Sequence, residues 1–492
     1  MKSWPVSSPR GGFRAALYLL GVTAQGFGLL FLLFGFLALA LQEEASGFFW
    51  AALLGFLLGR GFALFGHPQA QPNRAEVLLS VGLLWLFVPL LGALPFALSG
   101  GLSYLDALFE AVSGFTTTGA TVLTEEFSTW GKSLFLYRAL AQWMGGIGIV
   151  VLFVAVLPQL RVAGRQAFFA ESTGVEKDRL TPRLRHTAQA VLRVYVLLTL
   201  LAFLAYGFAG VPWFEALANA LTTLPAGGFS PNPQSFAQYT PLAQWLGTLF
   251  MFLAGVNFLL QYRLLFGREV RPILKDAEFR AYAVLVLVSA LLLALYLYTH
   301  HLYGLEPSLR HAFFQVVSIV TTTGFASVDF AQWVVPAQAI LVLLMFVGGS
   351  AGSGAGGVKV VRWLVLFGFL RREITRTLHP QAVLPLRLGG RSLGEEVLRQ
   401  VSVFVFLYTL LFATSTLFLA LLEGDFVVAF TASAQAIGNI GPGLGPVGPM
   451  GSYAELHPLS KVILILEMWA GRIELLPAFL LFTPELWRRV KV

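Results

Sequence analysis

Ten runs of mostly apolar residues punctuate the chain, near 15–41, 48–66, 75–98, 133–158, 188–209, 241–262, 281–299, 335–370, 397–422 and 459–483. Each is long enough to form a membrane-spanning helix, which needs about 20 such residues. Between several of them sit shorter, half-polar segments near 104–117, 212–226, 308–322 and 424–438. These are too short to span, and segments of that length are re-entrant or core elements. From residue 75 onward one pattern recurs four times: span, short segment, glycine-containing loop, span. The loops read Thr116-Thr117-Thr118-Gly119, Pro225-Ala226-Gly227-Gly228, Thr321-Thr322-Thr323-Gly324 and Gly438-Asn439-Ile440-Gly441. The aligned glycines lie 109, 96 and 117 residues apart, longer than a solenoid period and suited to two spanning helices plus one re-entrant helix. The expected class is an all-α polytopic membrane protein. Its parts are two N-terminal transmembrane helices (1–70) and four repeats (71–165, 166–270, 271–385 and 386–492).

Composition agrees. Of 492 residues, 57% are hydrophobic and 12% charged, about half the charged share of a soluble domain. That excludes a cytosolic globule, and equally a disordered chain. The absence of cysteine excludes disulfides, thiolate catalysis and Cys-ligated metal centres. The net charge of +8 is a topology signal. Twenty-eight of the 33 Lys and Arg fall at 2–14, 60–74, 161–193, 263–280, 359–399 and 488–491. The positive-inside rule then puts these loops and both termini in the cytoplasm. Every short half-polar segment falls outside, with acids such as Glu43, Asp106, Glu125, Glu126, Glu215, Glu306 and Asp425; an acidic outer mouth would concentrate cations. The uncharged run from Ala15 to Gln42 is too long for a signal-peptide core and reads as a retained helix.

Non-helical backbone at membrane depth survives only inside protein or along a water-filled path. Four such loops on one side suggest a ring around a pore, in which glycine reaches positive φ cheaply and backbone carbonyls replace a cation's hydration shell. A second glycine-rich stretch, 348–357, interrupts an apolar run with six glycines in ten residues, too many for a stable helix. Arg472 lies in the middle of the last span, near Glu467 and Glu474, and an intramembrane charge is a functional hypothesis by default. Gln142, Asn219, Gln315 and Gln435 read as hydrogen-bonding braces.

Together with Gln142-Trp143-Met144-Gly145-Gly146, Phe252 to Phe258 and Gly471-Arg472-Ile473-Glu474, these motifs make nearly the whole chain resemble the TrkH branch of the Trk/Ktr/HKT potassium transporter superfamily. The resemblance implies four pseudo-equivalent M1–P–M2 units about a pore. It implies a K⁺ selectivity filter of Thr117, Thr118, Gly119, Ala226, Gly227, Gly228, Thr322, Thr323, Gly324, Asn439, Ile440 and Gly441. It also implies a gate of Gly348, Gly349, Ser350, Gly352, Ser353, Gly354, Gly356, Gly357 and Lys359, and a barrier of Arg472 held by Glu474. A homodimer and a separate TrkA-like cytosolic ring that binds nucleotide are implied as well. Nucleotide binding by this chain itself is not expected: residues 352–357 satisfy G-x-G-x-x-G literally, but their flanks are spans rather than a βαβ unit. An enzyme is not expected either: H-E-x-x-H does not occur, and no nucleophile elbow or pair of catalytic residues is read from the sequence.

Overall fold

The computed structural model describes residues 12–67, 74–124, 129–151, 180–381 and 384–490. Within them the chain forms α1 (Gly12–Ala40), α2 (Ser46–Phe65), α3 (Arg74–Gly92), α4 (Leu94–Leu98), α5 (Tyr104–Phe115), α6 (Lys132–Val151) and α7 (Leu180–Phe208). There follow α8 (Trp213–Thr223), α9 (Pro241–Ala254), α10 (Phe258–Leu265), α11 (Arg271–Lys275), α12 (Ala277–Thr299), α13 (Leu305–Val320) and α14 (Val335–Leu344). The remainder are α15 (Val360–Leu378), α16 (Glu395–Glu423), α17 (Phe426–Gly438), α18 (Pro458–Arg472), α19 (Leu476–Leu481) and α20 (Pro484–Val490). The expected boundaries at 70/71 and 165/166 lie outside the described residues, as do Glu125, Glu126 and residues 161–179 of the basic stretch 161–193.

Among the described residues six helical stretches are long and apolar enough to cross a membrane: Phe13–Ala40, Ser46–Phe65, Ala75–Leu98, His186–Phe208, Ala277–Thr299 and Glu395–Glu423. Their outward residues include exposed Leu33, Leu57, Leu200, Leu295 and Leu421, an arrangement that costs free energy in water and none against lipid. The protein is a predominantly helical, multi-pass membrane protein.

Three expected features need correction. The run 241–262 is not one straight span: α9 and α10 meet at 106°. Asn257 causes the restart, its Oδ1 accepting from Leu259 N (2.8 Å) and Leu260 N (3.4 Å) as the N-cap of α10. The run 459–483 breaks after Arg472, where Glu474 and Leu475 take φ of 69° and 57°. And the chain is not purely helical. Arg387–Leu388 pairs antiparallel with Arg391–Ser392 because Gly389 and Gly390, at φ of 57° and 85°, supply the two positive-φ positions of a tight hairpin turn.

The chain divides into two compact units. The first comprises described parts of 1–112, 129–137 and 473–492. Here α1 and α2 lie close because small residues face one another: a Cβ on Gly21 would sit 2.8 Å from Ala63 N, and one on Gly55 3.1 Å from Gly28 Cα. The Tyr137 ring packs on Phe31, Phe34, Phe48 and Phe96, and its hydroxyl donates to the Gly92 carbonyl at 2.7 Å. The second unit, 113–128 with 138–472, contains all four glycine loops and the interrupted stretch between α14 and α15.

Candidate functional site: a ring of four loops

Each of α5, α8, α13 and α17 runs into one of the loops, and the four exits share one backbone geometry. The residue two before the aligned glycine is left-handed every time: Thr117 (φ 52°), Ala226 (58°), Thr322 (57°) and Asn439 (55°). Its N–H donates three residues back, to Gly114, Thr223, Ile319 and Ala436. The next N–H, of Thr118, Gly227, Thr323 or Ile440, donates five back to Ser113, Thr222, Ser318 or Gln435 at 2.8–2.9 Å. The aligned glycines follow at φ of 91° (Gly119), 77° (Gly228), 83° (Gly324) and 107° (Gly441). These are conformations that only glycine adopts without strain.

The loops close on one another. A Cβ on Gly119 would collide with the Gly227 carbonyl oxygen, one on Gly228 with that of Thr323, one on Gly324 with that of Ile440, and one on Gly441 would lie 2.8 Å from that of Thr118. The carbonyl before each glycine thus rests against the glycine of the preceding loop, in the cyclic order 1–2–3–4–1. The helices end at these loops, so the partial negative charge of their C-termini faces the ring. A cation is the species such a ring of carbonyls and helix ends stabilises.

Side chains behind the ring hold it. Gln142 Nε2 donates to the Gly227 carbonyl (2.8 Å) while its Oε1 accepts from Phe229 N (3.0 Å). Gln315 Oε1 accepts from Ser327 N (2.9 Å), and Gln435 Oε1 from Gly441 N (3.2 Å). The brace role expected of these glutamines is what the contacts display. Asn219 instead donates to the Tyr239 hydroxyl (3.0 Å). Asn439 Nδ2 bridges Thr118 Oγ1 (3.0 Å) and the Met468 carbonyl (2.9 Å).

A cavity of about 240 Å³ adjoins the ring, lined by all four aligned glycines. Its one charged lining residue among those described is Arg138, which belongs to none of the motifs singled out in the sequence. The guanidinium donates to the Ser230 carbonyl and to Thr121 Oγ1, both at 3.1 Å, and stacks 3.5 Å over the Phe229 ring, tying loop 1 to loop 2. Among the described residues this lining holds no carboxylate; Glu125 and Glu126 lie outside them. Several of the acids expected on the outer side serve local structure: Asp425 caps α17, Glu43 accepts from the N–H groups of Lys132 and Ser133, and Glu215 accepts from Tyr239. Glu306 pairs with Arg310 one turn on, and that hydrogen bond holds its carboxyl below the usual carboxylate range.

The stretch 348–357 is non-helical, as its glycines require. Gly356 N donates to Thr322 Oγ1 in the third loop (2.7 Å). A Cβ on Gly354 would lie 2.6 Å from the Leu224 carbonyl, and one on Gly356 2.7 Å from that of Gly438, so the stretch lies against the loop ends of α8 and α17. Ser350 N and Gly354 N donate to Gly255 and Ala254, where α9 breaks. Lys359 is buried, its Nζ donating to the carbonyls of Ala355 and, at 3.4 Å, Gly356. The sequence reading missed Glu278. Its buried Oε1 accepts from Ala351 N (2.9 Å) and Val361 N (3.0 Å), strapping both ends of the stretch to α12. A carboxylate opening an apolar span two residues after Asp276 was the available signal.

Arg472 is not mid-helix as expected. It is the last residue of α18, where a cation suits the helix C-terminus, and its Nη1 donates to the Gly354 carbonyl at 3.1 Å. Glu474 is buried in the break that follows.

Comparisons with known proteins agree with this architecture. The TrkH family model, described as a cation transport protein, matches residues 63–489. The chain is 37% identical to the Trk system potassium uptake protein TrkH of Salmonella typhimurium, over 97% of this chain and 99% of that protein. It is 36% identical to the Escherichia coli K12 protein of the same name, with the same coverage. The crystal structure of the potassium transporter TrkH from Vibrio parahaemolyticus superposes with a TM-score of 0.88 at 31% identity, covering 97% of this chain and all of that one. These relatives are transport proteins rather than enzymes, and the chain belongs to the TrkH family of cation transport proteins.

Proposed function

We propose that this protein is the pore-forming subunit of a potassium uptake system. The observation that carries the reading is the closed ring, in which four loops present a carbonyl and a positive-φ glycine in matching geometry. K⁺ sheds its water against these carbonyls; Thr117–Gly119, Ala226–Gly228, Thr322–Gly324 and Asn439–Gly441 form the filter. The glycine stretch 348–357 with Lys359 is the gate, and its close approach to α8, α17 and Thr322 supports that role. Arg472, donating to the gate's Gly354 carbonyl, is a positive barrier to free leak, with Glu474 in the adjoining break. The family membership supports four M1–P–M2 units, with the second helix of the third broken at 348–357, and ten spans in all. Both termini face the cytoplasm, the chain pairs as a homodimer, and a TrkA-like nucleotide-binding ring docks on the basic inner loops.

The test is cation flux into liposomes bearing the purified protein, for wild type and Gly119→Ser. The wild type should carry K⁺ well ahead of Na⁺, and the variant, whose Cβ falls on the Gly227 carbonyl, should lose that preference. Equal flux of both ions through wild type would keep the pore and reject the K⁺ assignment. No flux of either ion, with the regulatory ring present, would reject the pore.

A further inference from the structure

A second cavity, of about 280 Å³, lies between the start of α7 and α10. Its lining includes His186, Gln189 and Arg193 from α7 with Tyr262 and Arg263 from α10. His186, Gln189 and Arg193 share one face of α7, spaced by three, four and seven residues. The 106° break between α9 and α10 lays α10 against this face. Arg193 falls inside the apolar stretch His186–Phe208, about 10 Å of helix beyond His186. Among the described residues no carboxylate lies within 4 Å of either guanidinium. Two unneutralised arginines beside an imidazole, an amide and a phenol form a donor-rich pocket, the chemistry that selects a phosphate group.

The surroundings favour a phosphate carried by a lipid. Val196 and Leu200, three and seven residues beyond Arg193, continue the same face as exposed apolar surface. Leu265 and Phe266, two and three residues after Arg263, are exposed as well. A polar pocket opening onto an apolar stripe has the shape of a headgroup site with room for acyl chains beside it, as basic pockets between transmembrane helices offer.

We propose that the pocket between α7 and α10 binds the headgroup phosphate of an anionic phospholipid, with Arg193 and Arg263 as its ligands. The test is native mass spectrometry of the full-length protein in detergent, titrated with dioleoyl-phosphatidylglycerol or dioleoyl-phosphatidylcholine. Wild type should retain phosphatidylglycerol in preference to phosphatidylcholine. The Arg193→Gln/Arg263→Gln double variant should bind phosphatidylglycerol about 30-fold more weakly, at roughly 1 kcal/mol for each arginine. Arg399→Gln, exposed on α16, should match wild type. Equal retention of both lipids by wild type, a comparison that needs no variant to fold, would overturn the proposal. So would undiminished phosphatidylglycerol binding by a double variant with wild-type melting. Full displacement of the lipid by millimolar inorganic phosphate would reassign the pocket to free phosphate and overturn the lipid part.

Discussion

At the residue scale, the aligned glycines and the residues two before them differ in how openly the sequence displays them. Gly119, Gly228, Gly324 and Gly441 stand out because two loops share Thr-Thr-Thr-Gly and the others fall into register with them. The left-handed residues do not stand out. They are Thr, Ala, Thr and Asn, of which only Asn has a local preference for that region, and a β-branched residue there is an outlier. Their conformation is imposed by two N–H bonds back into the helix end and by the neighbouring loop, neither of which a single loop reveals. Steric demand gives a clean contrast between glycines. Gly228→Ala puts a methyl on the Thr323 carbonyl, whereas Gly390→Ala, at φ 85°, meets nothing within 4 Å. The second change should cost about 1–2 kcal/mol of backbone strain and leave K⁺/Na⁺ preference untouched; the first should abolish it, as measured by liposome flux. Equal selectivity in the two variants would mean that the ring does not discriminate between the ions. Glu278 was hidden for another reason: its partners lie 73 and 83 residues away. Glu278→Ala leaves two buried N–H groups without their acceptor, at about 1–3 kcal/mol each, and should lower the melting temperature and raise basal flux by loosening the stretch 348–357. Glu278→Gln, which keeps an oxygen in place, should recover most of both. An alanine variant with wild-type melting and flux would remove Glu278 as the strap.

At the scale of elements, hydropathy located helices well and their breaks poorly. The six long spans coincide with runs that any 20-residue window finds. The interruption at 348–357 was equally visible, because six glycines cannot continue a helix. The bend between α9 and α10 was not: the run through Phe252-Leu253-Ala254-Gly255-Val256-Asn257-Phe258 stays apolar, and only Asn257 as a cap residue marks the restart. The same holds at Arg472, where a break follows a single glycine, Gly471, whose added Cβ would collide with the Ile437 carbonyl. Hydropathy averages over windows, while a helix ends on one capping side chain or one close approach. The cap makes a testable claim. Asn257→Ala removes acceptors from Leu259 N and Leu260 N and should destabilise the protein by about 1 kcal/mol; Asn257→Asp, which retains the cap, should stay near wild type in thermal melting. Identical melting of both variants would show that α10 is held by packing against α7 and not by its cap. The first turn of α13 predicts a pH response of known sign. Arg310 lowers the Glu306 carboxyl, so the pair's modest contribution is complete above the ordinary carboxylate range and fades as pH falls through Glu306's lowered value. A Glu306→Gln variant should therefore differ from wild type at neutral pH and converge with it in acid.

At the scale of the whole molecule, the ring and the glycine stretch belong to the same compact unit, while α1 and α2 belong to the other. The loops that meet are far apart in sequence: Gly441 reaches Thr118, and Asn439 donates to Thr118 Oγ1 across 321 positions. No local structure can preserve such a ring if its neighbours separate, so an ion bound at its centre crosslinks four loops at once. Binding to the folded state alone stabilises it by RT ln(1 + [L]/Kd), about 2.7 kcal/mol at a hundredfold excess over Kd, and local opening is suppressed where the bound loops would have to part. Hydrogen exchange in K⁺ against choline should therefore show protection at 113–121, 222–230, 318–327 and 435–443. The stretch 348–357 should follow, because Gly356 N is tied to Thr322 in the ring. The segments of α1 and α2, packed through their own glycines and aromatics, should exchange alike in both salts. Protection spread evenly over both units would indicate a general salt effect on the protein. Protection of the four loops that disappears in Gly228→Ala, with α1 and α2 unchanged, would locate the ion in the ring itself, since that substitution alters one carbonyl contact of the ring and nothing in the other unit.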